Sequence, residues 1–252
     1  MRIDLNCDMG ESFGVYEIGA DEALMPLITS ANVACGFHAG DPAVADRTIS
    51  LAVKHGITVG AHPGYQDLRG FGRRPLQAKP EEIEADVLYQ VGALSGFAHS
   101  HGTRLVHVKP HGAVYNQAVA DDELARALAR GVARFSRDLI FVGLSTSSVM
   151  RNAALAVGLR FAGEAFGDRV YNPDGTLQSR RISGSVITDP AKAARQAVSI
   201  ARDRAVIAHD GSRVTIEADT LCLHGDNPSA LDNAKAVREA LEKAGVEVRS
   251  LS

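Results

Sequence analysis

The stretch Ile-Asp-Leu-Asn-Cys-Asp-Met-Gly-Glu, residues 3–11, has the alternating pattern of a β-strand. Side chains on a strand point alternately to opposite faces, so Asp4, Asn6 and Asp8 share one face and Glu11 follows its end. Three polar side chains in a row are poor material for a hydrophobic core and suit the lining of a functional site. A solvated edge strand, which also alternates polar and apolar residues, is the alternative interpretation.

Composition and charge restrict the class of protein. The 252 residues suit one α/β barrel or one large sheet domain. The formal net charge of −3, with no basic block, argues against binding to nucleic acid. The sequence shows neither a membrane-length apolar run nor a signal peptide at its start. The three widely spaced cysteines, Cys7, Cys35 and Cys222, fit free thiols in a reducing compartment, so a cytoplasmic location is predicted.

Strand-like runs alternate with helix-like runs along the whole chain, which indicates a parallel sheet with outer helices. The predicted strands lie at residues 3–11, 28–37, 57–61, 104–108, 139–145, 159–166 and 220–226, and residues 246–250 form either a short closing strand or an edge. The predicted helices lie at residues 20–27, 42–54, 80–102, 121–135, 190–204 and 229–244, with one more ending near residue 157. We predict a single domain over residues 1–252, a (β/α) barrel in which the strand count allows fewer than eight strands and imperfect closure. A doubly wound open sheet is the structural alternative.

Polar side chains recur at the carboxyl ends of the predicted strands, where α/β barrels carry their active sites. They are Asp8, Glu11, His38, Asp41, His62, Lys109, His111, Glu164, His224 and Asp226. By alternation, Asn32 and His38 share the inner face of the second strand. His107, Lys109 and His111 share the inner face of the fourth. We therefore predict that each strand of this barrel has a polar inner face. The interior of an ordinary α/β barrel is instead filled by bulky, branched apolar side chains.

The segment RGFGRR, residues 69–74, is interpreted either as a solvated loop or as an anion-binding lid. Guanidinium groups pair with carboxylate or phosphate through two hydrogen bonds, which makes Arg69 and Arg73 candidate ligands for an acidic substrate. The sequence contains no GxxxxGK[ST], GxGxxG, GxSxG or HExxH motif. The chemistry that remains is hydrolysis, either metal-assisted or based on general acid–base groups with an electrophilic lysine.

Four strings together resemble the LamB/YcsF family: DLNCDMGESFG at 4–14, SANVACGFHAGD at 30–41, VGAHPGYQD at 59–67 with RGFGRR, and VKPHGAVYN at 108–116. The resemblance implies a single seven-stranded (β/α) barrel of the glycoside hydrolase/deacetylase type. It also implies ATP-dependent opening of 5-oxo-L-proline (pyroglutamate) to L-glutamate, with ATP as co-substrate, accompanying Mg²⁺, and 5-oxoprolinase subunits B and C as partners. Because the sequence lacks a phosphate loop, either ATP binds through an unfamiliar site or the partners contribute part of that site.

These expectations assign roles to the polar residues. The predicted catalytic residues are Asp8, His38, His62, Lys109 and His111, and the predicted substrate-binding residues are Asn6, Glu11, Asn32, Asp41, Arg69, Arg73 and Glu164. If a metal is bound, the predicted ligands are Asp8, His38 and His62. Lys109 is expected to lie beside Asp8 and Glu11, which keep it charged, and to stabilise negative charge on the substrate. Two alternatives stay open, a metal-dependent amidase or deacetylase without ATP and a non-catalytic subunit that presents the substrate. Homo-oligomerisation is also left open.

Overall fold

The computed structural model describes residues 1–225 and 229–251, and its centre is a closed barrel of parallel strands. The strands within these residues are β1 Arg2–Met9, β2 Ser30–Ala34, β3 Thr58–His62, β4 Leu105–Val108, β5 Ile140–Leu144, β6 Arg160–Phe166, β7 Ala205–Ile207, β8 Arg213–Thr215, β9 Thr220–Leu223 and β10 Glu247–Val248. Seven of them, β1 to β6 and β9, form the barrel, and β1 closes it by pairing with both β2 and β9. The predicted seven-stranded barrel is therefore confirmed, and the open-sheet alternative is wrong.

Helices follow most of the barrel strands and pack on one another outside them. They are α1 Asp21–Leu24, α2 Pro42–Lys54, α3 Pro80–Ser100, α4 Gly112–Ala118, α5 Asp122–Phe135, α6 Ser148–Ala156, α7 Pro190–Val198 and α8 Ala230–Lys243. The apolar face of β1, with Ile3 and Leu5, belongs to the main hydrophobic core. In the described part of the chain, no helix is both long enough and apolar enough to cross a bilayer.

The start of α2 shows how the sequence fixes a boundary. The carboxylate of Asp41 accepts hydrogen bonds from the backbone amides of Ala43 and Val44, as an N-cap does. Pro42 occupies the first turn, where its missing N–H costs nothing. The helix therefore begins where the sequence predicts, and it leaves His38 in the loop between β2 and α2.

Several elements differ from the prediction. Helix α4 and the antiparallel hairpin of β7 and β8 were not predicted, because such short segments carry little periodic signal. The predicted helix at 190–204 is α-helical only to Val198 and continues as a π-turn over Ser199–Asp203. The closing segment forms β10, an edge strand beside the start of β1. The seventh barrel strand ends at Leu223, and Asp226 lies outside the described residues.

The strand register places paired residues of neighbouring strands on the same face of the barrel wall. Asp8 pairs with Asn32, Asn32 with Gly60, and Gly60 with His107, so these residues face inward together. Gly60 is required there, because a Cβ at this position would overlap the imidazole ring of His107. The prediction of a polar inner face on every strand is wrong for β5, whose inward Ile140 forms a small apolar cluster with Val142 and Ala162.

Candidate active site

Two buried asparagines position the carboxylates inside the barrel. Nδ2 of Asn32 donates to Oδ1 of Asn6 at 2.7 Å and to Oδ1 of Asp8 at 2.9 Å. Nδ2 of Asn6 donates in turn to Oε1 of Glu164 at 3.2 Å. Nε2 of His107 lies 2.7 Å from Oδ1 of Asn32, and burial lowers the pKa of His107 to about 3, so its ring is neutral. Both asparagines were predicted to bind substrate, but the structure gives them partners within the protein.

Lys109 is the buried cation of this network. Its ammonium donates to Oδ1 of Asp8 at 2.8 Å, lies 2.9 Å from Oε1 of Glu164, and reaches Sγ of Cys222 at 3.1 Å. Burial alone would lower the pKa of Lys109, but Asp8, Cys222 and Glu164 together hold it well above its usual range. The ammonium is therefore charged, as predicted. The prediction that Glu11 is the second carboxylate beside Lys109 is wrong, because Glu164 on β6 is the second carboxylate that pairs with the ammonium.

His62, another of the predicted catalytic residues, lies between Asp8 and His111. Its Nδ1 is 2.7 Å from the backbone oxygen of Lys109. Its Nε2 faces Oδ2 of Asp8 at 3.3 Å and Nδ1 of His111 at 2.9 Å. Burial would raise the pKa of Asp8, but the nearby His62 and Lys109 hold it well below its usual range, so Asp8 stays ionised.

His38 and Glu11 complete the buried cluster. The ring of His38 stacks on that of His111 with centroids 3.7 Å apart. Oε1 of Glu11 lies 3.9 Å both from Nε2 of His38 and from Nδ1 of His111. Burial lowers the pKa of His38 and of His111 well below the usual value, so both rings are neutral. Two groups of described residues bring possible metal-ligand atoms within 4.8 Å of one another. One group is Glu11, His38, His62 and His111, and the other is Asp8, Cys222 and His224.

The turn after β3 covers these histidines. The ring of Phe71 meets those of His38 and His111 edge-on, at centroid distances of 5.9 and 5.4 Å. Gly72 adopts a φ of +62°, and a Cβ there would come within 2.7 Å of Cβ of His38 and 2.8 Å of Cδ2 of His111. The RGFGRR segment therefore lies over the site, as the lid interpretation expects, with Phe71 and Gly72 packed against the histidines. Its binding of an anion stays a prediction.

The arginines of this segment have different surroundings. Arg74 is paired with the buried Asp67, which also accepts a hydrogen bond from the amide of Gly70. Arg73 is exposed, lies over the ring of Phe71 and lines the cleft described below. Arg69 is exposed and, among the described residues, is not part of the cleft lining. Of the two predicted arginine ligands, only Arg73 is thus placed to meet a substrate.

A cleft of about 790 Å³ opens over the carboxyl ends of the strands. Asp8, His62, Lys109, His111 and His224 line it, so the cluster is open to a ligand. Four arginines also line it, namely Arg73, Arg169, Arg180 and Arg181. Guanidinium groups favour carboxylate and phosphate ligands, and the cleft therefore suits an anion.

A histidine–aspartate pair lies on the same cleft and was missed. Nδ1 of His224 lies 2.9 Å from Oδ1 of Asp168, and the backbone amide of His224 donates to Oδ2 at 3.0 Å. Burial would raise the pKa of Asp168, but His224 lowers it below the usual value. The signal was available, because Asp168 stands two residues after β6, the same kind of strand-end position as the residues that were predicted.

Asp41 is used differently from its predicted role. Besides capping α2, its carboxylate accepts a hydrogen bond from the amide of Gly14 at 2.7 Å, which ties the loop after β1 to the helix. These bonds lower the pKa of Asp41, and the bond from Gly14 contributes most. A substrate-binding role for Asp41 stays a prediction, and the contacts that the structure shows are structural.

Nearly the whole sequence matches one protein family. The family model described as LamB/YcsF family matches residues 3–252. The chain belongs to the LamB/YcsF family. The resemblance inferred from its motifs is thereby confirmed over nearly the full length.

Relatives of this LamB/YcsF chain share about half of its residues. The A subunit of 5-oxoprolinase from Symbiobacterium thermophilum is 55% identical over 98% of this chain and 94% of that protein. The A subunit of 5-oxoprolinase from Pyrococcus abyssi is 52% identical over 98% of this chain and 97% of that protein. The crystal structure of the lactam utilization protein from Thermus thermophilus matches with a TM-score of 0.94 and 50% identity, covering 100% of both chains.

A more distant structure places the LamB/YcsF barrel among known folds. A family 4 carbohydrate esterase from Streptomyces lividans, in complex with acetate, has a TM-score of 0.50 at 12% identity, with 100% of this chain and 93% of that chain covered. A likeness at this level of identity concerns the fold alone. It confirms the predicted deacetylase type of barrel.

Proposed function

We propose that this chain is the component of an ATP-dependent 5-oxoprolinase that binds the lactam and opens its ring. The observation that carries the proposal is the level of identity, 50 to 55% over nearly the whole chain, to two 5-oxoprolinase A subunits and a lactam utilization protein. The word subunit in the names of those relatives supports partner chains, and we propose 5-oxoprolinase subunits B and C. The proposed product of 5-oxo-L-proline is L-glutamate.

The proposed reaction overcomes the low reactivity of a lactam carbonyl. Transfer of the γ-phosphoryl group of ATP to the lactam oxygen releases ADP and makes the ring carbon attackable. Water then adds to that carbon, and the ring C–N bond breaks to give an acyl phosphate and the free amine. A second water releases phosphate and leaves glutamate. Mg²⁺ is proposed to accompany ATP, as it does in most phosphoryl transfers.

The residues of the cleft suit these steps. The ionised Asp8 lines the cleft, so it is the proposed acceptor of a proton from the attacking water, and His62, with Nε2 3.3 Å from Oδ2 of Asp8, helps to position it. Lys109 holds Asp8 and Glu164 in place and supplies positive charge beneath the reacting carbonyl. The arginines of the cleft are the proposed ligands of the substrate carboxylate and of phosphate.

A metal-dependent amidase that needs no ATP is the second candidate. The cluster of Glu11, His38, His62 and His111 favours it, since carboxylate and imidazole groups are the ligands of catalytic zinc sites. The two candidates differ in their need for ATP. They also differ in whether the chain works alone.

The chain alone is expected to release little or no glutamate from 5-oxoproline and ATP, and the addition of subunits B and C is expected to restore turnover. The physical reason is that its sequence has no recognisable phosphate loop to position ATP. Glutamate and phosphate are measured for the chain alone, for B with C, and for the three together. A matched reaction without ATP is the control. Full turnover by the chain alone would contradict the partner requirement, and turnover without ATP would favour the amidase.

A further inference from the structure

Four buried side chains bring nitrogen or oxygen atoms close together beneath the turn that carries Phe71. One ligand atom from each of Glu11, His38, His62 and His111 lies within 4.8 Å of every other. All four residues are at most 5% exposed. They come from three different strand ends and from the loop after β1, so the barrel itself brings them together.

The hydrogen bonds of His62 and His111 fix where their ring protons lie. Nδ1 of His62 is 2.7 Å from the backbone oxygen of Lys109, and Nε2 of His111 is 2.9 Å from the backbone oxygen of Phe71. A carbonyl oxygen only accepts, so each of these nitrogens carries a proton. The remaining nitrogens, Nε2 of His62 and Nδ1 of His111, then face each other at 2.9 Å with their lone pairs.

This contact is repulsive unless a positive charge lies beside it. Carboxylate oxygens approach the same nitrogens, with Oδ2 of Asp8 3.3 Å from His62 and Oε1 of Glu11 3.9 Å from His111. One extra proton on His62 would relieve the contact with His111 and Asp8. It would do nothing for His38, which is 1% exposed and whose two ring nitrogens have no hydrogen-bond partner among the described residues. A buried polar group without a partner is costly, and a cation at the centre would give one ring nitrogen of His38 a partner and lie between the facing lone pairs of His62 and His111.

The distances and the surroundings fit a metal ion. Bonds of about 2.0–2.1 Å in a tetrahedral site separate the ligand atoms by about 3.4 Å, and the distances of 2.9 and 3.9 Å lie on either side of that value. Ligating histidines usually donate their other ring N–H to a carbonyl or a carboxylate. His62 and His111 both do so already.

We propose that Glu11, His38, His62 and His111 bind one divalent transition-metal ion, with Zn²⁺ the best match to three imidazoles and one carboxylate. This set differs from the ligands expected from the sequence, because Glu11 and His111 join His38 and His62 while Asp8 is engaged with Lys109. With four protein ligands a tetrahedral ion has no open position, so it would hold the cluster together beside Asp8 rather than contact the substrate. The proposal does not depend on the identity of the substrate or on ATP.

The test is metal binding by the full chain without a histidine tag. The protein is stripped with a chelator, loaded with Zn²⁺ and passed over a desalting column, and its zinc is measured by mass spectrometry. We expect one zinc per chain. We also expect a thermal midpoint that rises with free Zn²⁺, because a ligand of the native state alone stabilises it. Cobalt loading provides a second readout, since the visible absorption of Co²⁺ reports a site of nitrogen and oxygen ligands.

Matched variants locate the ion. His38→Gln and Glu11→Gln are expected to weaken Zn²⁺ binding by more than the 10–100-fold that loss of an outer hydrogen bond causes. His224→Gln removes a buried histidine of the second candidate group and is expected to bind Zn²⁺ like the wild type. Circular dichroism checks that each variant is folded. Substoichiometric retention of Zn²⁺, Mn²⁺ and Co²⁺ by the wild-type chain would overturn the proposal. So would loss of zinc in His224→Gln with retention in His38→Gln.

Discussion

Lys109→Met is expected to lower the free energy of unfolding by about 3–5 kcal/mol, the usual result of removing one partner from a buried ion pair. The side chain is 3% exposed and lies between Asp8 and Glu164, so its loss leaves two buried carboxylates without their cation. Chemical denaturation measures the change. Lys243→Met, at an 80% exposed side chain, is the matched control and is expected to change stability by no more than about 0.5 kcal/mol.

A double variant separates electrostatics from packing. In Lys109→Met/Glu164→Gln a neutral amide replaces one of the two buried carboxylates. The double variant is therefore expected to be more stable than Lys109→Met alone. Activity is expected to stay low, with a larger effect on kcat than on KM, because the lysine acts through Asp8 and on charge that develops during the reaction. Lys109→Arg is expected to rescue poorly, since a planar guanidinium does not replace a point charge in a tight site. Wild-type stability in Lys109→Met, or a rise in KM at unchanged kcat, would contradict this role.

Asp8→Asn is expected to lower turnover of the complete enzyme by about 10²–10⁴-fold. The change keeps the size of the side chain but removes the charge that faces both His62 and Lys109. Glutamate release is measured with subunits B and C present, after a check that the variant still assembles. Asp210→Asn, in the exposed turn between β7 and β8, is the control and is expected to be fully active. Turnover of Asp8→Asn at the wild-type rate would remove Asp8 from the mechanism and favour a subunit that only presents the substrate.

The sequence was sufficient to predict the barrel, because the information is local and repeated. Each strand is indicated by alternating polar and apolar residues or by an apolar run. A Gly, Pro or Asp after the strand indicates the turn, as Asp41 and Pro42 do before α2. Parity along β1 and β4 correctly predicted that Asp8 and Lys109 point inward together. Short elements such as α4 and the hairpin of β7 and β8 escaped, because so few residues show no period.

The contacts of the site depend on distances between strands far apart in sequence. Lys109 pairs with Glu164 rather than with Glu11 because of the register across β6, β9 and β1. No local sequence pattern encodes that register. The same holds for the Asp168–His224 pair, which joins residues 56 positions apart. Arg180 and Arg181 reach the cleft from a long loop whose path the sequence did not indicate.

A crystal structure of the chain with bound 5-oxo-L-proline tests the central claim most directly, which is that the cluster under the cleft is where the lactam ring is opened. The account predicts that the lactam carbonyl lies within hydrogen-bond reach of the Asp8, His62 and Lys109 cluster. The substrate carboxylate is predicted to lie on an arginine of the cleft, with Arg73 the first candidate. Binding of 5-oxoproline elsewhere, for example in the cleft of about 700 Å³ beside α7 and β7, with this cluster unoccupied, would contradict the account.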